Sequence, residues 1–318
     1  MGWTLAIADD LTGALEAGAR FGRAVVSTAR EIPGIPECGV LAIDTETRHV
    51  TPEEARAVLR ELILRAIRHG PAMIYKKTDS TLRGNIAAEF QGMLDALPEQ
   101  RIVYVAAYPE LGRTVRNGRL FVNGAPVEET AFNRDPLNPV RSGSIAELVG
   151  RLPVTIPDAE TEEEVRQAAR EILAGHPPPI AAGPAGLAGW LRKSVTTGCA
   201  AVRIERCLVV NGSLHPASAA QIEAASRTGL FDGRWVLCDR DPETVKAALA
   251  KSRFDSLAVF GGDTAFAIHR GLNFGEFETM GEVLPGVPVS RCGGLTWITK
   301  AGGFGAPELL CDIRRRVS

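Results

Sequence analysis

Short apolar runs alternate with longer helical patterns along this 318-residue chain, and that rhythm limits the fold more than any other feature. Trp3–Ala8, Gly39–Ile43, Ala72–Tyr75 and Ile102–Ala107 read as strands. Thr12–Phe21, Pro52–His69 and Asn85–Leu97 read as the helices between them. The pattern over 52–69 is the clearest, with Leu59, Leu62, Ile63 and Ile67 on one face. Thr51 is placed to cap that helix, Pro52 suits its first position, and Glu53 and Glu54 complement its positive end. Such alternation predicts an α/β fold, a mostly parallel sheet covered by helices on both faces.

The rhythm breaks after residue 107. "GRLFVNGAPV" (118–127) sets Asn123-Gly124 between apolar residues, a strong hairpin signal. "RDPLNPVRSG" reads as a loop, Glu162–Leu173 as a helix, and "GHPPPIAAGPAGLAGWL" as strand, loop and helix. A second alternating block follows. Cys207–Val210, Trp235–Leu237, Leu257–Phe260 and Leu295–Thr299 read as strands. Helices are expected through Gln221, over Pro242–Lys251, through His269 and at the end of the chain, with "NGSLHPAS", "GGDT" and "KAGGFGAP" as loops. The expected division is therefore a domain over 1–200 and another over 201–318, each with its own mostly parallel sheet, the boundary falling near 195–205.

Composition narrows the function classes. The chain is 45% hydrophobic and 23% charged with a formal net charge of −2, so no basic excess points to nucleic acid or an anionic membrane. Apolar runs such as Ile102–Tyr108 fall far short of the roughly 20 residues that span a bilayer. The first ten residues read as a strand, with no basic segment and no long apolar core, so no secretory signal is expected. Cys38, Cys199, Cys207, Cys238, Cys292 and Cys311 are scattered without a C-x-x-C pair, as expected of free thiols in a reducing cytoplasm.

Polar residues collect after the strands, where ligands of open parallel sheets bind. Asp9 and Asp10 follow the first strand; adjacent carboxylates can hold polyol hydroxyls, ligate Mg²⁺ or accept a proton, or simply cap the next helix. Lys77, Asp79, Ser80 and Arg83 in "YKKTDSTLRGN" precede a helix start, which favours anions, and an arginine there can grip a carboxylate. The plainer alternative is a cap at Asp79 or Ser80 beside a solvated Arg83. The three glycine-containing loops of the second block suit phosphate, because missing Cβ atoms let amides approach oxygen, although each alone reads as a tight turn. There is no G-x-x-x-x-G-K-[ST] loop, no G-x-G-x-x-G and no G-x-S-x-G elbow. Among the histidines only His215, before a helix, stands out; His69 and His269 read as surface residues.

Taken in order, "IADDLTGALEAG", "YKKTDSTLRGN", "YPELGRTVRNGRLFVNGAPVEETAFNRDPLNPVRSG", "AAGPAGLAGWL", "VVNGSLHPASAAQ", "GGDTAFAI", "GEVLPGVP" and "TKAGGFGAPELL" resemble the four-carbon acid sugar kinase family over nearly the whole chain. The resemblance implies an N-terminal substrate domain, a C-terminal ATP domain and an active site in the cleft between them. It implies transfer of phosphate from ATP–Mg²⁺ to threonate, erythronate or a 3-oxo-tetronate. By the same resemblance Asp9 and Asp10 contact substrate hydroxyls, and one is the candidate base. Lys77, Asp79, Ser80, Arg83 and Arg113 contact the acid or the moving phosphate, with Asp79 and Arg83 also placed among the catalytic groups. Ser213, Gly261, Gly262, Asp263, Thr264, Gly302, Gly303 and Gly305 fall on the nucleotide side. Tyr75 and Lys76 read as structural or peripheral.

This chain is shorter than the family's usual length, with the shortfall between Ser142 and Ala181 and between Ala225 and Leu257. Pro184 stands where the family often has serine, and Gly303 where many members have asparagine. Two alternatives stay open: a non-catalytic binder of a sugar acid or nucleotide, and a kinase for a hydroxy amino acid such as 4-hydroxythreonine. The chain is compatible with a homo-oligomer, but its sequence does not specify one.

Overall fold

The computed structural model describes residues 2–32, 34–191 and 202–317. Both the expected boundary at 200/201 and Cys199 lie outside the described residues. The first strand–helix block comprises β1 (Thr4–Ala8), α1 (Leu11–Arg20), β2 (Val25–Ser27), β3 (Val40–Asp44), α2 (Pro52–Ala66), β4 (Met73–Lys77), α3 (Ile86–Ala96) and β5 (Ile102–Tyr104). An irregular middle carries β6 (Arg113–Arg116), β7 (Arg119–Val122), β8 (Ala125–Pro126), α4 (Ile145–Val149), β9 (Val154–Thr155), α5 (Glu162–Ala174), β10 (Ile180–Gly183) and α6 (Ala185–Trp190). The second block holds β11 (Cys207–Asn211), α7 (Pro216–Arg227), β12 (Trp235–Cys238), α8 (Pro242–Lys251), β13 (Ser256–Phe260), α9 (Gly262–Leu272), β14 (Phe277–Leu284), β15 (Val287–Cys292), β16 (Leu295–Lys300) and α10 (Leu309–Val317).

The two blocks do not form separate sheets. Among the described residues one 13-stranded sheet runs β12-β11-β13-β16-β15-β14-β2-β3-β1-β4-β10-β5-β9. It is parallel except where β15 pairs with β16, β14 with β15, and β14 with β2. The antiparallel pair β14–β15 and the short β2 were not anticipated, and they join the blocks. The expected parallel sheet covered by helices is present. Its inner strands β1 and β11 are mostly apolar on both faces, as in Leu5, Ile7, Leu208 and Val210, because both faces are covered.

Local signals account for most elements. Thr51 accepts a hydrogen bond from Glu54 N–H (3.2 Å) with Pro52 at the helix start. Ala55, Leu59, Leu62, Ile63 and Ala66 form the buried face of α2, but Ile67 is 40% exposed because the chain tightens to a 3₁₀ turn there. Asn123 and Gly124 have φ of 51° and 84° and join β7 to β8 as expected. Asn117-Gly118, with φ of 51° and 66°, makes the same kind of turn between β6 and β7. "GGDT" is not a loop: Gly261 precedes α9, and Gly262, Asp263 and Thr264 form its first turn.

Helix α1 packs on both blocks, touching β1, β3, β14, β15 and α9. At its end Arg20 bridges Glu110 (2.6 Å) and Glu282 on β14 (2.8 Å). Burial pushes the Glu282 carboxyl up to about 8, against the pull of Arg20. Close helix packing needs glycine at one point: a Cβ on Gly92 of α3 would lie 2.3 Å from the Arg56 carbonyl oxygen of α2.

Gly92→Ala is therefore expected to destabilise the protein by about 1–3 kcal/mol through overpacking, read as a lowered urea midpoint at unchanged slope. An unchanged midpoint would show that α2 and α3 can part freely. Protonated Glu282 favours the fold: its contribution is complete below its ordinary value of 4.5 and is lost as pH rises through about 8. Wild type should thus lose stability relative to Glu282→Gln between pH 5 and 8, by at most about 1.4 kcal/mol per pH unit. Parallel stability curves for the two would show Glu282 ionised throughout.

Candidate active site

Parallel register brings distant polar residues together. Ala8 of β1 pairs with Asp44 of β3 and with Lys77 of β4. The residues just beyond, Asp9-Asp10, Thr45–Arg48 and Thr78-Asp79, therefore emerge side by side. The segment after β3 turns back over β1, with the N–H groups of Thr45, Thr47 and Arg48 donating to the carbonyls of Ala8 and Asp9.

Arg48 is the hub. It donates to both oxygens of Asp9 (2.8 and 2.9 Å), to Asp10 Oδ2 (2.8 Å), and lies 3.8 Å from Asp79. Burial raises the Asp9 carboxyl, but the charges of Arg48 and Lys76 outweigh it and hold Asp9 below its ordinary value. Asp10 caps α1 through Gly13 N–H (2.9 Å) and accepts from the Thr12 hydroxyl (2.7 Å). Of the two aspartates, Asp10 lines the pocket, and Asp9 lies behind it against Arg48.

The stretch opening at Tyr75 splits into two roles. Lys76 is completely buried and paired with Glu89 at 3.0 Å, so it is not peripheral. Thr47 donates to the same carboxylate at 2.6 Å. Lys77 reaches Glu16 at 3.5 Å, over Gly13, whose Cβ would stand 3.1 Å from Lys77 Nζ. Asp79 does not cap α3, which begins only at Ile86. It instead accepts from Thr81 N–H (2.9 Å) and from Arg83 Nη2 (2.7 Å) and Nε (3.1 Å). Burial opposes ionisation of Asp79, yet Arg83 and Arg48 hold its carboxyl well below the ordinary range. Arg83 is not a solvated side chain either; it also pairs with Asp135 (3.1 Å) and lies 5.4 Å from the Phe132 ring centre.

The second block meets this group. Asn211, Phe260 and Lys300 are register partners at the ends of β11, β13 and β16. The three glycine-containing segments consequently converge. A Cβ on Gly212 would lie 1.7 Å from Thr264 Oγ1, one on Gly302 2.0 Å from Ser213 Oγ, and one on Gly262 2.4 Å from Asp10 Oδ2. One pocket is lined from the first block by Asp10, Glu16, Arg48, Lys77, Asp79, Ser80 and Arg83, then by Arg113 and Phe132, and from the second block by Ala301, Gly303 and Phe304. Arg113 donates to the Gly303 carbonyl at 2.9 Å, and its Nε is buried without a partner.

Not every expected residue joins that lining. Asp263 faces outward to His49 (3.2 Å), whose pKa this hydrogen bond raises. Gly261 and Ser213 lie behind the pocket against each other, with a Cβ on Gly261 standing 3.2 Å from Ser213 N. Gly305 lies toward α7, where Gln221 donates to its carbonyl (3.2 Å). His215 caps α7 through Ala217 N–H (3.2 Å) and stacks on Phe132 at 5.2 Å. Burial, with the charges of Arg83, Lys300 and Arg113, lowers its pKa. His269 is buried, not a surface residue.

Sequence reading missed Arg48, Glu16, Glu89, Phe132 and Lys300. For Arg48 a usable signal existed: "DTETRH" follows a strand as "ADDLTG" does. Among the described residues no group of three or more His, Cys, Asp or Glu side chains is arranged to hold a metal ion, and no helix is long and apolar enough to cross a membrane.

Residues 4–153 match the family described as sugar-binding N-terminal domain, and 242–310 the one described as nucleotide-binding C-terminal domain. A D-threonate kinase of Bordetella bronchiseptica is 30% identical over 386 aligned residues, covering 96% of this chain and 95% of that protein. A D-erythronate kinase of Heliobacterium modesticaldum is 40% identical over 45% of this chain and 34% of its own length. A 3-oxo-tetronate kinase of Methylobacterium radiotolerans is 30% identical over 46% and 37%. Among solved structures, a protein of Salmonella typhimurium described as a putative tRNA synthase has the same fold, with a TM-score of 0.79 at 18% identity and full coverage of both chains. A Bordetella bronchiseptica protein containing a domain of unknown function, solved with bound citrate as a domain-swapped dimer, has a TM-score of 0.56 at 29% identity, covering 99% of each chain. The match to the Bordetella kinase over nearly all of both sequences settles kinship: the chain belongs to the four-carbon acid sugar kinase family.

Proposed function

We propose that the protein transfers the terminal phosphoryl group of ATP to a hydroxyl of a four-carbon sugar acid, with threonate, erythronate and 3-oxo-tetronate as the candidate acceptors. The observation that carries this reading is the pocket itself. Carboxylates and cations of the first block, together with Arg113 and Phe132, face glycine-rich backbone of the second across a few ångströms. On this reading residues 1–200 form the substrate part, residues 201–318 the nucleotide part, and the pocket is the cleft between them. The D-threonate, D-erythronate and 3-oxo-tetronate kinases among the relatives support the acceptor class.

Phosphoryl transfer asks a protein mainly for positioning and charge stabilisation. Asp10 is the proposed base for the attacking hydroxyl, because it lines the pocket and Arg48 and Gly13 N–H fix its orientation. Asp9, spread across Arg48, supports that geometry from behind. Arg113, which has a free buried Nε, and Lys77 offer cationic contacts for the acid's carboxylate or the moving phosphate. Asp79 and Arg83 are locked to one another and shape the wall, leaving Ser80 to offer its hydroxyl. Mg²⁺ suits this donor set because it is usually held by one or two carboxylates plus substrate phosphates. Such an ion would enter with the ATP phosphates and neutralise their charge beside the carboxylates of the pocket, Asp10, Glu16 and Asp79.

ADP release from ATP, Mg²⁺ and a panel of four-carbon acids and hydroxy amino acids tests the reading. Turnover with at least one four-carbon acid is expected, while nucleotide binding without turnover on any acceptor would favour a binding protein. Asp10→Asn should cut kcat/KM about a hundred- to ten-thousand-fold with the acid still bound. Near-normal kinetics in that variant would remove Asp10 from the base role.

A further inference from the structure

The pocket wall at Ala301–Gly303 is held from behind by Lys300 and Ser218. Lys300, the last residue of β16, is completely buried. Its Nζ donates to the carbonyls of Ala301 (2.8 Å) and Gly302 (3.2 Å) and reaches Ser218 Oγ at 3.4 Å. Ser218 donates its own hydroxyl proton to the Gly302 carbonyl at 3.1 Å. Two successive carbonyls are thus turned toward Lys300. A trans peptide is planar, so the N–H that follows each carbonyl points the opposite way. The N–H groups of Gly302 and Gly303 therefore face away from Lys300, and Ala301 and Gly303 line the pocket. Neither N–H donates to any group among the described residues.

Charge points the same way. Lys300 has no carboxylate partner among the described residues; it sits between the rings of Phe260 (5.2 Å) and Phe304 (4.7 Å). Burial, with the charge of Arg113, brings its pKa down to about 7. An unpaired buried cation is costly, and an anion on the other side of the loop would offset it.

We propose that Lys300, assisted by Ser218, is a positioning residue that turns the Gly302 and Gly303 amides into a cradle for the terminal phosphates of the nucleotide. This deepens the kinase reading and rests on it. A Cβ on Gly303 would stand 2.8 Å from the Phe132 ring, so a larger residue there would require that ring to shift.

Calorimetric binding of ADP and of the accepted acid to the full-length protein tests the proposal, with steady-state KM values for ATP and acid alongside. Lys300→Met should weaken ADP binding and raise the ATP KM at least tenfold, with acid affinity changed less than twofold. Ser218→Ala should shift ADP affinity the same way by a smaller factor, and it decides the matter if Lys300→Met does not fold. Unchanged ADP affinity in a folded Lys300→Met, or in Ser218→Ala where that variant stands alone, would overturn the proposal; so would equal losses for both ligands, which would mark a merely structural role. A wild-type protein that binds no ADP at all would instead overturn the kinase reading beneath it.

Discussion

Three carboxylates at adjacent strand ends make the rest of the site depend on Arg48. Asp9, Asp10 and Asp79 are each at most 6% exposed, and like charges so close and so dry need a cation among them. One guanidinium satisfies both oxygens of Asp9 and one of Asp10, and stands 3.8 Å from the third carboxylate. Planar, forked donors suit that task, where a lysine would offer a point charge. Arg48 is in turn placed by backbone bonds from the segment after β3 to the carbonyl of Asp9.

The second structural condition is close approach. Gly212, Gly262 and Gly302 each stand where a Cβ would meet Thr264, Asp10 or Ser213. Those contacts bring second-block backbone close to the carboxylate side of the pocket. Phe132 works from the middle of the chain, lying beside Arg83 on one side and His215 and Gly303 on the other. Aromatic packing there spans the two blocks, while β2–β14 pairing and the Arg20–Glu282 bridge tie them at the sheet.

Much of the architecture was legible because burial of a local face writes a local pattern. The face of α2, the cap at Thr51 and the turn at Asn123-Gly124 all follow from residues within one turn or hairpin of each other. β15 escaped notice because it is covered on both faces and carries no alternation, and β14 because register shifts around Gly281 and Glu282 interrupt its alternation. Ile67 was misplaced because the periodic pattern continues past the point where the helix tightens.

By itself the sequence determined which residue types stand at the strand ends: paired aspartates, a lysine-rich stretch and glycine loops. The kinase family was legible from the same segments. Tertiary structure alone decided who pairs with whom. Arg48 meets Asp9 across 39 residues, Arg113 meets Gly303 across 190, and His49 meets Asp263 across 214. It also decided that Lys76 and Lys300 are buried cations, one neutralised by Glu89 and the other left facing the back of a glycine loop. The physical reason is that periodicity records only whether a position is covered, while strand order and register fix which charge covers it.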